Sequence, residues 1–352
     1  MKIGIVTYHD INNYGAQLQA SSLQRYIEAQ GHEVEVVDYK PIRTRVRIIM
    51  TILRPLLKGD IKQAKLELNK RKMFASSIKS MARIGKKSLY TESQLKKSLY
   101  NSYDLLICGS DELWNFQNYM GYRPAYILDF PTNNTRKMSY AASMGSGNPS
   151  EELKQTMTNS LANFSSILVR DPYTFDFVKN QGFDVSRVVD PTFLFDFKPV
   201  LPSLDNYMMI SGALSKAQVE LAIETAKKLK LVPVSVGCQY PGYEDIEVSA
   251  TPIEWIGYIK NAKFHFTSLF HGAVFSLKND TPFAIYCSQA KKQKVSSLVS
   301  WFNQETRMVD ESATVETLIE CSKLPFTDSY HETFSQLVNN SKELLLTSIE
   351  KK

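Results

Sequence analysis

The segment MKIGIVTYHDINNYGAQLQASSLQRYIEAQGHEVEVVDYK, residues 1–40, contains one βαβ unit. Ile3 to Tyr8 is a β-branched, apolar run of strand length, and Glu33 to Asp38 is a second. Between them, Ala16 to Gln30 reads as a helix that ends at Gly31. Two strands separated by a helical crossover pair in parallel, so this opening commits the chain to an α/β sheet. His9 and Asp10 follow the first apolar run at once, which excludes a secretory leader and sets the cytoplasm as the expected location.

The alternation continues outward. Tyr103 to Cys108, Lys137 to Ala142, Ile167 to Val169 and Arg187 to Val189 complete a first sheet, which Asp190-Pro191-Thr192 closes. A second set follows: a strand at Tyr207 to Gly212, a helix at Ala217 to Leu229 and a strand at Val232 to Gly237. A helix from Pro252 to Ile259, a strand at Phe264 to Thr267, a helix at His271 to Lys278 and a strand at Pro282 to Tyr286 extend it. Tyr330 to Ile349 is a long amphipathic helix with Phe334, Leu337, Leu344, Leu345 and Ile349 as apolar positions. The expected domains are residues 1–195, Rossmann-like with an insert at about 40–100; residues 196–328, also Rossmann-like; and a helix over 329–352 packing back toward the first.

A chain of 352 residues exceeds one ordinary core, in agreement with two domains. With 43% hydrophobic and 22% charged residues, disorder, collagen and coiled coil are excluded. The most apolar stretch, Ile48 to Leu57, is broken by Thr51, Arg54 and Pro55, so no segment is expected to span a bilayer. Cys108, Cys238, Cys287 and Cys321 stand singly, which suggests small buried hydrophobes and neither a zinc site nor a disulfide framework.

Charge is distributed unevenly. Residues 40–100 hold seventeen of the 42 Lys and Arg and three of the 36 Asp and Glu, leaving that segment at +14 and the remainder at −8. Within it Arg43, Arg45, Arg47 and Arg54 bracket Ile48, Ile49, Leu53 and Leu56, with Pro55 expected to limit a continuous helix. This mixture suits anionic lipid headgroups, and equally a helical layer packed on the main body with solvated lysines. Nucleic acid is set aside, because only Phe74, Tyr90 and Tyr100 are available for stacking and no binding motif is present.

In doubly wound sheets a ligand lies beyond the carboxyl ends of the strands. Five polar clusters occupy such places. Asn12-Asn13-Tyr14-Gly15-Ala16-Gln17-Leu18-Gln19 opens a helix, where free N–H groups favour an anion or Asn13 is simply a cap. Gly109-Ser110-Asp111-Glu112-Leu113-Trp114 supplies a carboxylate in a small-residue turn, and Ser139 to Gly145 is a second small-residue loop. Arg170 follows an apolar strand and offers a planar fork for carboxylate or phosphate, or an ion pair to Asp171 or Asp190. His271 and Gly272 lie at a strand-to-helix junction, where a histidine can donate a proton or hold phosphate, while His265 reads as a core residue. No P-loop, HExxH, GxSxG or dinucleotide fingerprint is present.

Taken in order, NNYGAQLQ, ICGSDELWN, SYAASMG, LVRD, VVDPTFL, PIEWIGYIKNAKF and TSLFHGAVFSL resemble the polysaccharide pyruvyl transferase family. The resemblance covers most of the chain outside the basic insert and the C-terminal tail. It implies a GT-B-like fold of two Rossmann-like domains facing a cleft, and transfer of pyruvate from phosphoenolpyruvate to sugar hydroxyls in capsule or exopolysaccharide synthesis. Some members carry Arg-Leu-His where this chain has Leu269-Phe270-His271, so one expected donor-binding arginine is absent. The implied catalytic residues are His271 and Asp111. Donor contacts are implied for Arg170, Asn13, Gly15, Gly272 and His271, and acceptor contacts for Asn12, Ser110, Glu112, Trp114 and Ser143. The expected partners are phosphoenolpyruvate as donor substrate, a sugar acceptor on a lipid carrier, and the inner face of the cytoplasmic membrane; no metal or other cofactor is expected. A GT-B-type glycosyltransferase using a nucleotide sugar and a noncatalytic membrane-associated scaffold are the alternatives.

Overall fold

Leu105–Cys108, Tyr207–Ser211 and Phe264–Thr267 are buried at every residue, so their sheets need helices on both faces. The computed structural model describes residues 1–116, 123–145, 148–288 and 292–351, and divides the chain into two units.

The first unit comprises Met1–Phe195 and Leu337–Lys352. Its strands are β1 (Lys2–Val6), β2 (Glu33–Val36), β3 (Leu105–Cys108), β4 (Arg136–Ala142), β5 (Ser166–Val169) and β6 (Ser186–Arg187). They pair in parallel in the order β2-β1-β3-β4-β5-β6. Its helices are α1 (Tyr14–Glu28), α2 (Ile42–Leu57), α3 (Ile61–Met81), α4 (Glu92–Leu99), α5 (Glu151–Leu161) and α6 (Pro172–Asn180). α1 is almost wholly buried, with Leu18, Leu23 and Ile27 in the core beside β1 and β2.

The basic segment folds as α2, α3 and α4 between β2 and β3. Parallel bridges from Val36 to Ile84 and from Tyr39 to Leu89 tie it to the edge of the sheet. α3 anchors it by burying Phe74, Ile78 and Met81, whereas α2 has no buried residue. The expectation that Pro55 interrupts a helix is corrected: α2 runs unbroken to Leu57. Pro55 stands in the last turn, where the chain ends the helix anyway and Lys58 N–H donates to the carbonyls of Arg54 and Pro55.

The second unit is Asp196–Gln336. It contains β7 (Tyr207–Ser211), β8 (Val232–Val236), β9 (Glu247–Val248), β10 (Phe264–Thr267), β11 (Phe283–Tyr286) and β12 (Met308–Val309). All pair in parallel in the order β12-β11-β10-β7-β8-β9, the doubly wound arrangement counted outward from its first strand. Its helices are α7 (Lys216–Lys228), α8 (Pro252–Asn261), α9 (Phe270–Lys278), α10 (Lys292–Trp301) and α11 (Val315–Lys323). Capping boxes Ser215/Gln218 and Thr251/Glu254 start α7 and α8.

The final helix, α12 (Asp328–Glu350), is shared between the units, the division falling between Gln336 and Leu337. At its start Tyr330 Oη donates to the Leu277 carbonyl at 2.6 Å. Toward its end Ser341 Oγ accepts from Val189 N–H at 3.0 Å, and Arg136 Nη2 donates to the Ile349 carbonyl at 2.6 Å. Among the described residues no helix is long and apolar enough to cross a membrane.

Strand order reverses beside the first strand of each sheet, between β1 and β3 and between β7 and β10. The residues that follow β3 and β10 therefore stand where such sheets bind ligands.

Candidate active site

In the first unit, β3 runs into Gly109-Ser110-Asp111. Gly109 has φ +127°, and a Cβ there would come 2.0 Å from the Tyr140 carbonyl oxygen, so only glycine lets β3 and β4 approach this closely. Asp111 itself has φ +81°, a conformation that costs free energy in a non-glycine residue and is retained only where the surroundings impose it. Those surroundings are specific. Ser143 N–H donates to the Asp111 carbonyl at 3.1 Å, and Glu112 N–H donates to the Asp111 carboxylate at 2.9 Å. Ser110 N–H donates to Gln19 Oε1 at 3.1 Å, while Gln19 Nε2 donates to Thr7 Oγ1 at 2.9 Å.

Arg170, just after β5, is buried. Its Nη1 donates to Asp190 Oδ2 at 2.8 Å, and its Nη2 lies 3.7 Å from Asp111 Oδ1. Burial opposes its charge, but the carboxylates of Asp190, Asp111 and Asp171 raise its pKa above the ordinary arginine value. Asp190 is fixed in turn by Thr192, whose N–H and Oγ1 donate to Oδ1 at 3.1 and 2.8 Å. The cluster is a buried cation held between two aspartates, one of which, Asp111, keeps 18% of its side chain exposed.

The other expected contact residues lie as follows. Trp114 is 1% exposed and packs in the core, its Nε1 donating to the Tyr126 carbonyl at 3.0 Å. Ser110 and Ser143 are buried, Ser110 Oγ donating to Ala141 O and Ser143 Oγ accepting from Gly145 N–H. Asn13 is the cap of α1, accepting from Ala16 N–H at 3.0 Å, and Gly15 is buried in that helix's first turn. Arg170, expected to face the donor, has its charge met by carboxylates. Of the acceptor candidates, Asn12 and Glu112 remain half-buried, and Glu112 Oε2 accepts from Asn115 at 2.8 Å.

In the second unit, β10 leads through Ser268 and Leu269 into α9, with His271 at its second position and 9% exposed. A Cβ at Gly272 would stand 2.4 Å from Thr267 Oγ1, so this glycine serves the close packing of α9 on β10. Thr267 Oγ1 accepts from Leu269 N–H at 3.0 Å, and the N-cap residue Leu269 makes no side-chain cap. The His271 ring meets Phe270 edge-on at 5.3 Å, and Lys294 Nζ lies 4.5 Å from the centre of the Phe270 ring. His265 is fully enclosed between Ser211 Oγ and Ser276 Oγ, each 2.8 Å from a ring nitrogen. Burial lowers its pKa to about 3, so it stays neutral and structural.

Sequence reasoning placed Ser110, Asp111, Ser143 and Arg170 at strand ends of the first sheet, included Gln19 in the cluster that opens α1, placed His271 and Gly272 after β10, and missed two features. His9, in the turn after β1, lies 2.9 Å through Nε2 from Asp38, just beyond β2, and Asp38 also accepts from Lys40 and Ser88. The strand-end rule that selected Asp111 would have selected both. Lys294 has no local signal because only the fold brings it to Phe270. Among the described residues no group of three or more His, Cys, Asp or Glu is placed to hold a metal.

Two six-stranded parallel sheets with polar residues beyond their switch points define a doubly wound α/β protein of the GT-B-like class. The chain belongs to the polysaccharide pyruvyl transferase family, whose sequence model matches residues 13–286. No curated protein sequence matches it. Among solved structures, the UDP-GlcNAc 2-epimerase from Methanocaldococcus jannaschii is similar over 99% of this chain and 100% of that one, with TM-score 0.56 and 9% identity. The S. aureus MnaA–UDP structure covers 99% and 96%, with TM-score 0.52 and 12% identity. Spinosyn forosaminyltransferase SpnP covers 100% and 98%, with TM-score 0.50 and 10% identity. At such identities the likeness is one of fold.

Proposed function

We propose that the protein moves pyruvate from phosphoenolpyruvate to hydroxyls of a lipid-linked sugar in a polysaccharide precursor, releasing phosphate. The observation that carries this reading, in a chain of this family, is that a proton-transfer group follows the strand beside each switch point: Asp111 after β3 and His271 after β10.

The second unit's part concerns the donor. Phosphoenolpyruvate is a phosphate and a carboxylate on one small carbon frame, and the helix dipole at the start of α9 together with the cation of Lys294 supports binding of such an anion. His271 delivers a proton to C3, turning the methylene into a methyl group and making C2 electrophilic. The first unit's part concerns the acceptor. Asp111 takes the proton of the attacking hydroxyl as its oxygen bonds to C2. The resulting tetrahedral adduct expels phosphate, which leaves with the proton that Asp111 took and so returns Asp111 to its starting state. The oxocarbenium centre so formed is closed to a ketal by a second hydroxyl, whose proton replaces the one His271 gave. Arg170 then acts as a positioning residue: its bridge between Asp190 and Asp111 keeps the Asp111 carboxyl group aimed.

The test is phosphate release from phosphoenolpyruvate over a panel of lipid-linked saccharides, with donor binding measured by calorimetry. Saccharide-dependent phosphate release supports the reading. Binding of a nucleoside diphosphate without binding of phosphoenolpyruvate would replace it with sugar transfer.

A further inference from the structure

An amphipathic helix on a globular protein ordinarily turns its apolar stripe inward. α2 does the opposite. Of its half-buried positions, Thr44, Ile48, Ile52 and Pro55 form the side turned toward the protein, and Met50 lies between the apolar stripe and its arginine margin. Its exposed apolar positions, Ile42, Val46, Ile49, Leu53, Leu56 and Leu57, recur at helical spacing along a separate stripe and are 39% to 80% exposed. Ile61, opening α3, continues that surface at 70% exposure. Arg43, Arg47 and Arg54 follow one margin of the stripe, all exposed. Arg45, which the sequence grouped with them, instead lies 4.9 Å over the Tyr90 ring on the other margin. Six large apolar side chains in one exposed row exceed the scattered apolar residues normal for a protein surface.

We infer that this stripe docks on an anionic lipid bilayer, its aliphatic side chains entering the boundary between headgroups and acyl chains and Arg43, Arg47 and Arg54 meeting lipid phosphates. The choice of occupant rests on charge. Residues 40–100 carry a net +14 against −8 for the remainder, so the stripe lies in the one strongly cationic region of an otherwise acidic chain. A second copy of the chain would bring +14 against +14 there, whereas an anionic surface complements it. Arginine side chains surrounding an apolar row match the layered chemistry of a bilayer interface, phosphate outside and hydrocarbon beneath. The inference stands whether or not phosphoenolpyruvate is the donor.

Co-sedimentation of the full chain with vesicles of phosphatidylglycerol and phosphatidylcholine, and of phosphatidylcholine alone, tests it. The wild type should pellet with the anionic vesicles at low salt and be released as salt rises. Arg43→Gln/Arg47→Gln/Arg54→Gln should lower the partition coefficient about a hundredfold, and Ile49→Asp/Leu53→Asp at least about tenfold. Both variants should unfold at the wild-type temperature, since no residue of α2 is buried. The inference is overturned if the wild type stays in the supernatant, or if the Ile49→Asp/Leu53→Asp variant pellets as fully as the wild type, which would mean adsorption by charge alone. It is equally overturned if light scattering shows a wild-type dimer that this variant dissociates, or if single-stranded RNA is bound and the anionic vesicles are not.

Discussion

His9 Nε2 lies 2.9 Å from Asp38 Oδ1, and the other ring nitrogen lies 3.2 Å from the carbonyl oxygen of Thr7. Asp38 is thereby joined to His9, Lys40 and Ser88, which fastens the β1 and β2 ends to the start of the basic insert and to the loop that closes it.

Stability should depend on Asp38 at low pH. Burial acts to raise its pKa, but hydrogen bonds from His9, Ser88 and Lys40 hold the folded carboxyl well below its ordinary 3.8. The unfolded chain then takes up the proton first as pH falls. The contribution is complete at neutral pH and declines below about pH 4. Asp38→Asn should cost about 3 kcal/mol at neutral pH by removing the buried carboxylate that His9, Lys40 and Ser88 share, and should flatten the acid limb. Urea denaturation across this range measures both; an unchanged acid limb in the variant would remove Asp38 from the account.

The two aspartates around Arg170 should separate stability from turnover. Asp190→Asn removes the closer partner of a buried cation and should destabilise the protein by about 3 kcal/mol. Asp111→Asn keeps a residue type that tolerates positive φ and an oxygen for Glu112 N–H, so stability should change by less than about 1 kcal/mol. Its rate should nevertheless fall on the order of 10²–10⁴-fold. Thermal unfolding and phosphate-release kinetics on both variants decide it, and a fully active Asp111→Asn would end its role as base.

His271→Ala should lose a comparable factor in kcat, because it deletes the proposed acid while α9, which has no side-chain cap to lose, keeps its start. The far-ultraviolet circular dichroism should match the wild type. Turnover at the wild-type rate under saturating donor would exclude His271 from proton transfer.

Lys294 and Arg170 should differ in which kinetic constant they move. Lys294→Met removes a cation beside Phe270 and should raise KM for phosphoenolpyruvate. Arg170→Lys keeps the charge but loses the fork that bridges Asp190 and Asp111, so it should lower kcat with little change in donor KM. The reverse pattern in steady-state kinetics would return Arg170 to the donor.

Most of the strands and their division into two parallel sheets were legible because parallel strands must be apolar on both faces and end at polar turns. β9 and β12 were not, since each has only two residues and no period can be read from two. The candidate site was legible by position along the strands and less so by local contact. Gly-Ser-Asp after β3 can be read from the sequence, but that Trp114 points into the core while Asp111 stays half-open depends on the β4 backbone, which lies far along the sequence. For Arg170 the sequence left a fork for an anion and an ion pair to Asp171 or Asp190 both open, and only the fold brings Asp190 to 2.8 Å. Pro55 misled because a breaker in the final turn of a helix no longer has anything to break.

α12 bears on the order of events at the ribosome. The first unit is written in two places, residues 1–195 and 337–352, with the whole second unit spelled out between them. Its buried Leu345 and Ile349 and the Ser341 hydroxyl that accepts from Val189 emerge only after every strand of the second unit has been synthesised. Up to that moment the nascent first unit must wait with part of its core uncovered, exposed to chaperones and to misassociation. The half that begins the polypeptide is therefore the half that finishes folding last.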